Sequence, residues 1–357
     1  MSNYVRPRQG SWPLTCVTGT ASLIRLFMTN MKRPSGPINF TAKHLFSIDL
    51  LTDDELLYLL TLADYYAARL AAKAPIDPCA SGKTQINVFF ENSTRTNASF
   101  ELAGKKLGAD VIVIPVAASS VHKGEALLDT SQTLAAMGAD AMVVRSHVSG
   151  ACSLIAEALA NTGSKDCAIL NAGEATTDHP SQALLDALTI FQAVGRVPAD
   201  GLDGVTIAIC GDSRHSRVAS SNCQLLPRLG AKLRFVGPKD LRPKTSFHPE
   251  IPRFEDMDEG LTGCDIVMAL RIQLERLPPD ITPDPALFFA QYGLTHERLA
   301  ICPNALVMHP GPINRGIEIS GDLADDPARS LILRQVQNGV PTRMALLDAL
   351  LGARHKG

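Results

Sequence analysis

From residue 52 onward the chain alternates between two hydrophobic periods. In "TDDELLYLLTLADYYAARLAA" (52 to 72) apolar residues recur every three or four positions, which predicts an amphipathic helix. Short β-rich runs follow at 85 to 90, 110 to 116, 140 to 145 and 167 to 171, with helical patterns between them. That alternation predicts βαβ units and a parallel sheet. "PSQALLDALTIFQAV" (180 to 194) is one long helical segment without glycine, and "GRVPADGLDG" after it is rich in turn residues, so the domain boundary belongs there. The rhythm then repeats, with "VTIAICGD" (205 to 212), "AKLRFVGP" (231 to 238), "CDIVMALR" (264 to 271) and "ALVMHPGP" (305 to 312) as candidate strands. A last run, "TRMALLDALLG" (342 to 352), is too apolar on one face to stay free and is expected to pack back on the first domain.

The expected fold is therefore α/β, with two parallel-sheet α/β domains joined by a long helix. The expected boundaries are an N-terminal extension over 1–37, a first domain over 38–179, the linking helix over 180–195, a second domain over 196–340 and a C-terminal helix over 341–357. A length of 357 residues agrees, because one hydrophobic core rarely serves a chain of that size.

Composition narrows the chemistry. A net charge of −2 gives no overall basic field to draw nucleic acid or an anionic membrane, so neither is expected as a partner. The eight cysteines form no C-x-x-C pair and show no Cys/His ligand spacing. Free thiols in a reducing cytoplasm are expected, with no metal. No uncharged apolar run approaches the ~18 residues that span a bilayer. The first 48 residues hold six Lys/Arg and no Asp or Glu, loosely like an organelle transit peptide, and Arg25 interrupts the only signal-peptide core. The adopted reading is a disordered extension that does not pack, with Met28 and Met31 as alternative starts.

The stretch "INVFFENSTRTNASFELAGKKLGAD" (86 to 110) passes from buried strand to amphipathic helix, with Ser93, Thr94, Arg95 and Thr96 at the joint. Asn92 or Ser93 would cap the helix, the next backbone N–H groups would point free, and Arg95 adds a two-pronged donor, a combination that suits phosphate. A plainly capped helix is the alternative on this stretch alone. "SGKT" (81 to 84) is no P-loop, because Asp77 stands where glycine is needed and the strand follows rather than precedes. Other strand ends, where ligands of parallel sheets bind, carry Ser119 and Lys123 in "SSVHKGE", then Arg145, then His179 and Gln182. Together they imply one multiply charged ligand.

Six motifs in order, "STRT", "SSVHKGE", "HPSQALLDALTI", "GDSRHSR", "LRIQLERL" and "HPGPINRGIEI", resemble the carbamoyltransferase family, and within it the catalytic chains of the aspartate branch, over residues about 38 to 354. The resemblance implies a carbamoyl phosphate-binding first domain and an aspartate-binding second domain. It assigns Ser93, Thr94, Arg95 and Thr96 to phosphate, Thr96, Arg145 and His179 to the carbonyl oxygen, and Gln182 with the backbone at Gly311 and Pro312 to the carbamoyl amide. It also implies a homotrimer in which Ser119 and Lys123 reach the neighbouring site, no cofactor, and a place in pyrimidine biosynthesis. Regulatory or dihydroorotase chains as further partners are left open. Departures from the family pattern are Asn97 after "STRT", Ser146 after Arg145 and "NAGEATTDHP" before the histidine, for which altered packing behind the site is expected.

In the second domain, "GDSRHSR" lacks the glycines of a dinucleotide fold. Arg217, Arg271 and Gln273 suit a dicarboxylate such as L-aspartate, with Lys123 reaching the same substrate. The runner-up, an ornithine carbamoyltransferase, typically carries H-C-L-P where this chain has His309, Pro310, Gly311 and Pro312. A third reading is an inactive assembly subunit, against which the intact Arg95, Lys123, Arg145 and His179 argue.

Overall fold

The computed structural model describes residues 32–34, 41–114, 127–273 and 277–352. Helix α1 (Asp53–Ala71) starts at Thr52, where the hydroxyl and the Glu55 carboxylate cap each other's backbone N–H. Strands β1 (Thr84–Phe89), β2 (Asp110–Ile114), β3 (Ala141–Ser146) and β4 (Ala168–Glu174) form one sheet in the order β2–β1–β3–β4, all parallel. Between them lie α2 (Thr94–Lys106), α3 (Leu127–Ala136) and α4 (Ala151–Ala160).

Helix α5 (Pro180–Ala193) leads to the second half, and every residue from Pro180 to Phe191 is buried. There β5 (Thr206–Cys210), β6 (Lys232–Val236), β7 (Arg253–Phe254), β8 (Ile266–Ala269) and β9 (Leu306–Met308) make a parallel sheet in the order β7–β6–β5–β8–β9. Its helices are α6 (Arg217–Leu225), α7 (Met257–Leu261), α8 (Pro285–Tyr292) and α9 (Gly321–Asp325). The α/β fold class read from the sequence is the one observed.

The two-residue β7 escaped the pattern reading because it is too short to show a period. The final helix, α10 (Ile332–Leu347), begins ten residues earlier than expected, because Pro341 reads as a breaker yet sits inside it. It runs against α1, α2 and α5 and ends in a π turn, Asp348–Gly352. One apolar core continues from the first sheet through α5 and α10 to the second sheet, and each sheet has a further core on its other face. The extension expected over 1–37 lies outside the described residues except for 32–34, where Arg33 donates two hydrogen bonds to the fully buried Asp348. No helix among the described residues is long and apolar enough to cross a membrane.

Candidate active site

Each sheet has one point where successive strands are laid down in opposite directions, between β1 and β3 in the first and between β5 and β8 in the second. Loops leaving the carboxyl ends of such strands diverge and leave a crevice. Both crevices open into one cleft of about 810 Å³, into which the two halves contribute side chains.

From β1 the chain enters α2 through Ser93. That residue is the N-cap, but its hydroxyl makes no capping hydrogen bond, contrary to a plain cap. Ser93, Thr94, Arg95 and Thr96 all line the cleft, so the free N–H groups of the first turn and the Arg95 guanidinium face the same space. Arg145 closes β3. It donates to the carbonyl of Ala172 at 3.0 Å and lies 3.5 Å from the Glu91 carboxylate, which also accepts from Arg217 of α6 at 2.8 Å. Glu91 thus holds cations of both halves together. Their close approach requires Gly173, at φ +119, where an added Cβ would stand 2.6 Å from an Arg145 nitrogen and 3.2 Å from one of Arg217.

His179 is the N-cap of α5, and its backbone N–H donates to Ser221 in the second half at 2.9 Å. Burial first, then Arg145, Arg343 and Arg217, holds its imidazole well below the ordinary value, so the ring is neutral at neutral pH. Its Nδ1 is buried without a hydrogen-bond partner, and the residue lines the cleft. Gln182, one turn on, also lines it.

The second half contributes Arg217, Arg271 and Gln273, after β5 and β8, and the loop that follows β9 with Gly311 and Pro312. Gly311 has φ +69, and a Cβ there would run into the Arg95 guanidinium. The structure therefore brings together every sequence-read site residue except Ser119 and Lys123, which lie outside the described residues.

Sequence reasoning missed several contributors. An acid beside anion-binding residues looks repulsive, which hides Glu91 although it stands two residues before Ser93. Arg343 was masked by its apolar surroundings in α10. It lies over Phe100 at 5.0 Å, lines the cleft, and is pushed down to about 9, chiefly by burial. The His309 ring accepts from the Gly311 N–H at 2.8 Å through Nδ1 and must then donate through Nε2 to Glu318 at 3.0 Å, which fixes its tautomer.

The departures are accounted for locally. Asn97 accepts from the buried Asn87 amide at 2.9 Å. Ser146 accepts from the Val148 N–H at 3.0 Å. Glu174 accepts from Gly150 and Cys152 at 2.7 and 2.9 Å, capping α4, whose N-cap glycine has no side chain to do so.

Residues 43–192 match the family model described as the aspartate/ornithine carbamoyltransferase carbamoyl-P binding domain, and residues 203–350 match the Asp/Orn binding domain. The chain is 49% identical over 320 residues to the aspartate carbamoyltransferase catalytic subunit of Granulibacter bethesdensis, covering 89% of this chain and 98% of that one. Against the same subunit of Dinoroseobacter shibae identity is 50% over 310 residues, covering 87% and 95%. Among solved structures, aspartate transcarbamoylase from Trypanosoma cruzi in complex with carbamoyl aspartate and phosphate superposes with a TM-score of 0.76 at 29% identity, covering 90% of this chain and 99% of that one. The catalytic subunit of M. jannaschii aspartate transcarbamoylase gives 0.75 at 32% identity, covering 88% and 100%.

Proposed function

The chain belongs to the aspartate/ornithine carbamoyltransferase family, and on that premise we propose that it transfers the carbamoyl group of carbamoyl phosphate to the amino group of L-aspartate. The products are N-carbamoyl-L-aspartate and phosphate, an early step of pyrimidine biosynthesis in the cytoplasm. The observation that carries this reading is the single cleft at both sheet crevices, with a helix start and Arg95, Arg145, His179 and Gln182 on one side and Arg217 and Arg271 on the other.

In this reading the half built on the first sheet binds carbamoyl phosphate and the half built on the second selects the amine. Ser93, Thr94 and Arg95 hold the phosphate. Thr96, Arg145 and His179 donate to the carbonyl oxygen, and Gln182 with the backbone at Gly311 and Pro312 takes the carbamoyl amide. Arg217, Arg271 and Gln273 hold the two carboxylates of aspartate, and Lys123 reaches the same substrate.

The amine nitrogen attacks the carbamoyl carbon, the carbon–oxygen bond to phosphate breaks, and the amine proton passes to a phosphate oxygen. His179 suits the role of donor rather than base: an imidazole held well below its ordinary value is a poor proton acceptor. Donors aimed at a developing oxyanion are worth roughly 10² to 10³ in rate each. Placing both substrates in one cleft supplies the rest by proximity. We further propose a cyclic homotrimer in which Ser119 and Lys123 of one chain complete the site of its neighbour.

The test is amine choice. With carbamoyl phosphate, the purified protein should carbamoylate L-aspartate and scarcely use L-ornithine, whose second ammonium Arg217 and Arg271 repel. Turnover of ornithine equal to that of aspartate would overturn the assignment.

A further inference from the structure

Behind the cleft one carboxylate serves as a common acceptor for three side-chain amides. Asp186, on α5, is fully buried. Its Oδ1 accepts from Gln182 Nε2 at 2.9 Å and from Gln335 Nε2 of α10 at 2.8 Å. Its Oδ2 accepts from Asn222 Nδ2 of α6 at 3.0 Å. Burial pushes the Asp186 carboxyl up to about 6, which leaves it ionised at neutral pH, and an ionised carboxylate can only accept.

That chemistry decides which way both glutamine amides turn. Each must point its NH₂ at Asp186. With its NH₂ engaged by Asp186, Gln182 keeps its carbonyl oxygen, an acceptor, for the cleft it lines. Gln335 spends its own carbonyl on the His309 backbone N–H, at 2.8 Å, at the head of the loop that carries Gly311 and Pro312. The side-chain and backbone groups on the two sides of the cleft are thus referred to one buried atom.

We infer that Asp186 is a positioning residue that makes this part of the cleft accept an NH₂ group: it fixes the Gln182 amide with its oxygen outward and steadies the 309–312 loop through Gln335. The inference rests on the carbamoyl-transfer reading and adds to it the reason why a carbamoyl group is chosen over an acyl group of the same shape.

Two stable phosphonates differ only at that group: phosphonoacetamide carries NH₂ where acetonylphosphonate carries CH₃. Titration calorimetry of the intact protein with each, and with inorganic phosphate, separates amide recognition from phosphate binding. Asp186→Asn can turn its own NH₂ towards the glutamines, so the preference for phosphonoacetamide should fall about tenfold, the scale of one lost buried hydrogen bond. Phosphate affinity should stay within about twofold. In the Gln182→Leu background Asp186→Asn should change the preference no further, because both act on one contact.

An unchanged preference in folded Asp186→Asn, equal weakening of all three ligands, or additive losses in the double variant would overturn the inference. If Asp186→Asn does not fold, Asp186→Ser, neutral and smaller, is measured with the same expectations. A wild-type protein that bound the two phosphonates equally would instead overturn the carbamoyl reading, and would do so before any variant was made.

Discussion

Gly311 carries a conformational and a steric demand at one atom. Its φ of +69 costs an L-residue roughly 1–2 kcal/mol, and any Cβ would meet the Arg95 guanidinium across the cleft. Gly311→Ala should therefore leave a folded protein in which the end of Arg95 is displaced. The KM for carbamoyl phosphate should rise roughly tenfold, as expected for one charge-assisted contact, while the KM for aspartate moves little. Initial-rate kinetics with each substrate varied in turn check this, and a rise confined to aspartate would contradict the placement of Arg95. This residue also shows what a sequence can and cannot disclose. The glycine and its motif were legible, and so was the role that the family resemblance implied, but its proximity to Arg95 was not. Residue 95 follows the first strand and residue 311 the last, and only the packing of the two halves makes them neighbours.

Among elements, the C-terminal helix illustrates a different gap. Its apolar end is legible in the sequence, where the 3.6-residue period is strong, whereas its beginning is hidden because Pro341 looks like a breaker. Pro341 is tolerated inside the helix, where it is itself buried, and the same helix brings Gln335 and Arg343 to the site. Its far end raises a separate question of anchoring. Asp348, fully buried in the π turn, accepts from Arg33 at 2.9 and 2.5 Å and from the Tyr66 hydroxyl at 2.7 Å. Removing Arg33 leaves the carboxylate with fewer donors, so Arg33→Ala should lower unfolding free energy by about 1–3 kcal/mol. Deletion of residues 1 to 30 should not. Urea midpoints of the two variants settle the matter, and an Arg33→Ala curve that overlays wild type would show that the pair adds nothing.

For the whole molecule, the proposed sharing of sites between chains has a numerical signature. Arg95→Ala and Lys123→Ala should each be nearly inactive. When the two are unfolded together and reassembled in equal amounts, a site is native if one chain supplies Arg95 and its neighbour Lys123, which cyclic symmetry grants to about one quarter of all sites. Recovery near that level is expected, and none at all in demonstrated mixed trimers would mean that both residues serve their own chain. A last consequence belongs to α5, the buried axis between the halves. Most helices here keep an outer face on which substitutions can drift unnoticed, and that tolerance is what prints an amphipathic period on a sequence. From Pro180 to Phe191 this helix has no outer face. Any substitution in the segment that follows His179 and carries Gln182 must therefore be accommodated by close packing on every side.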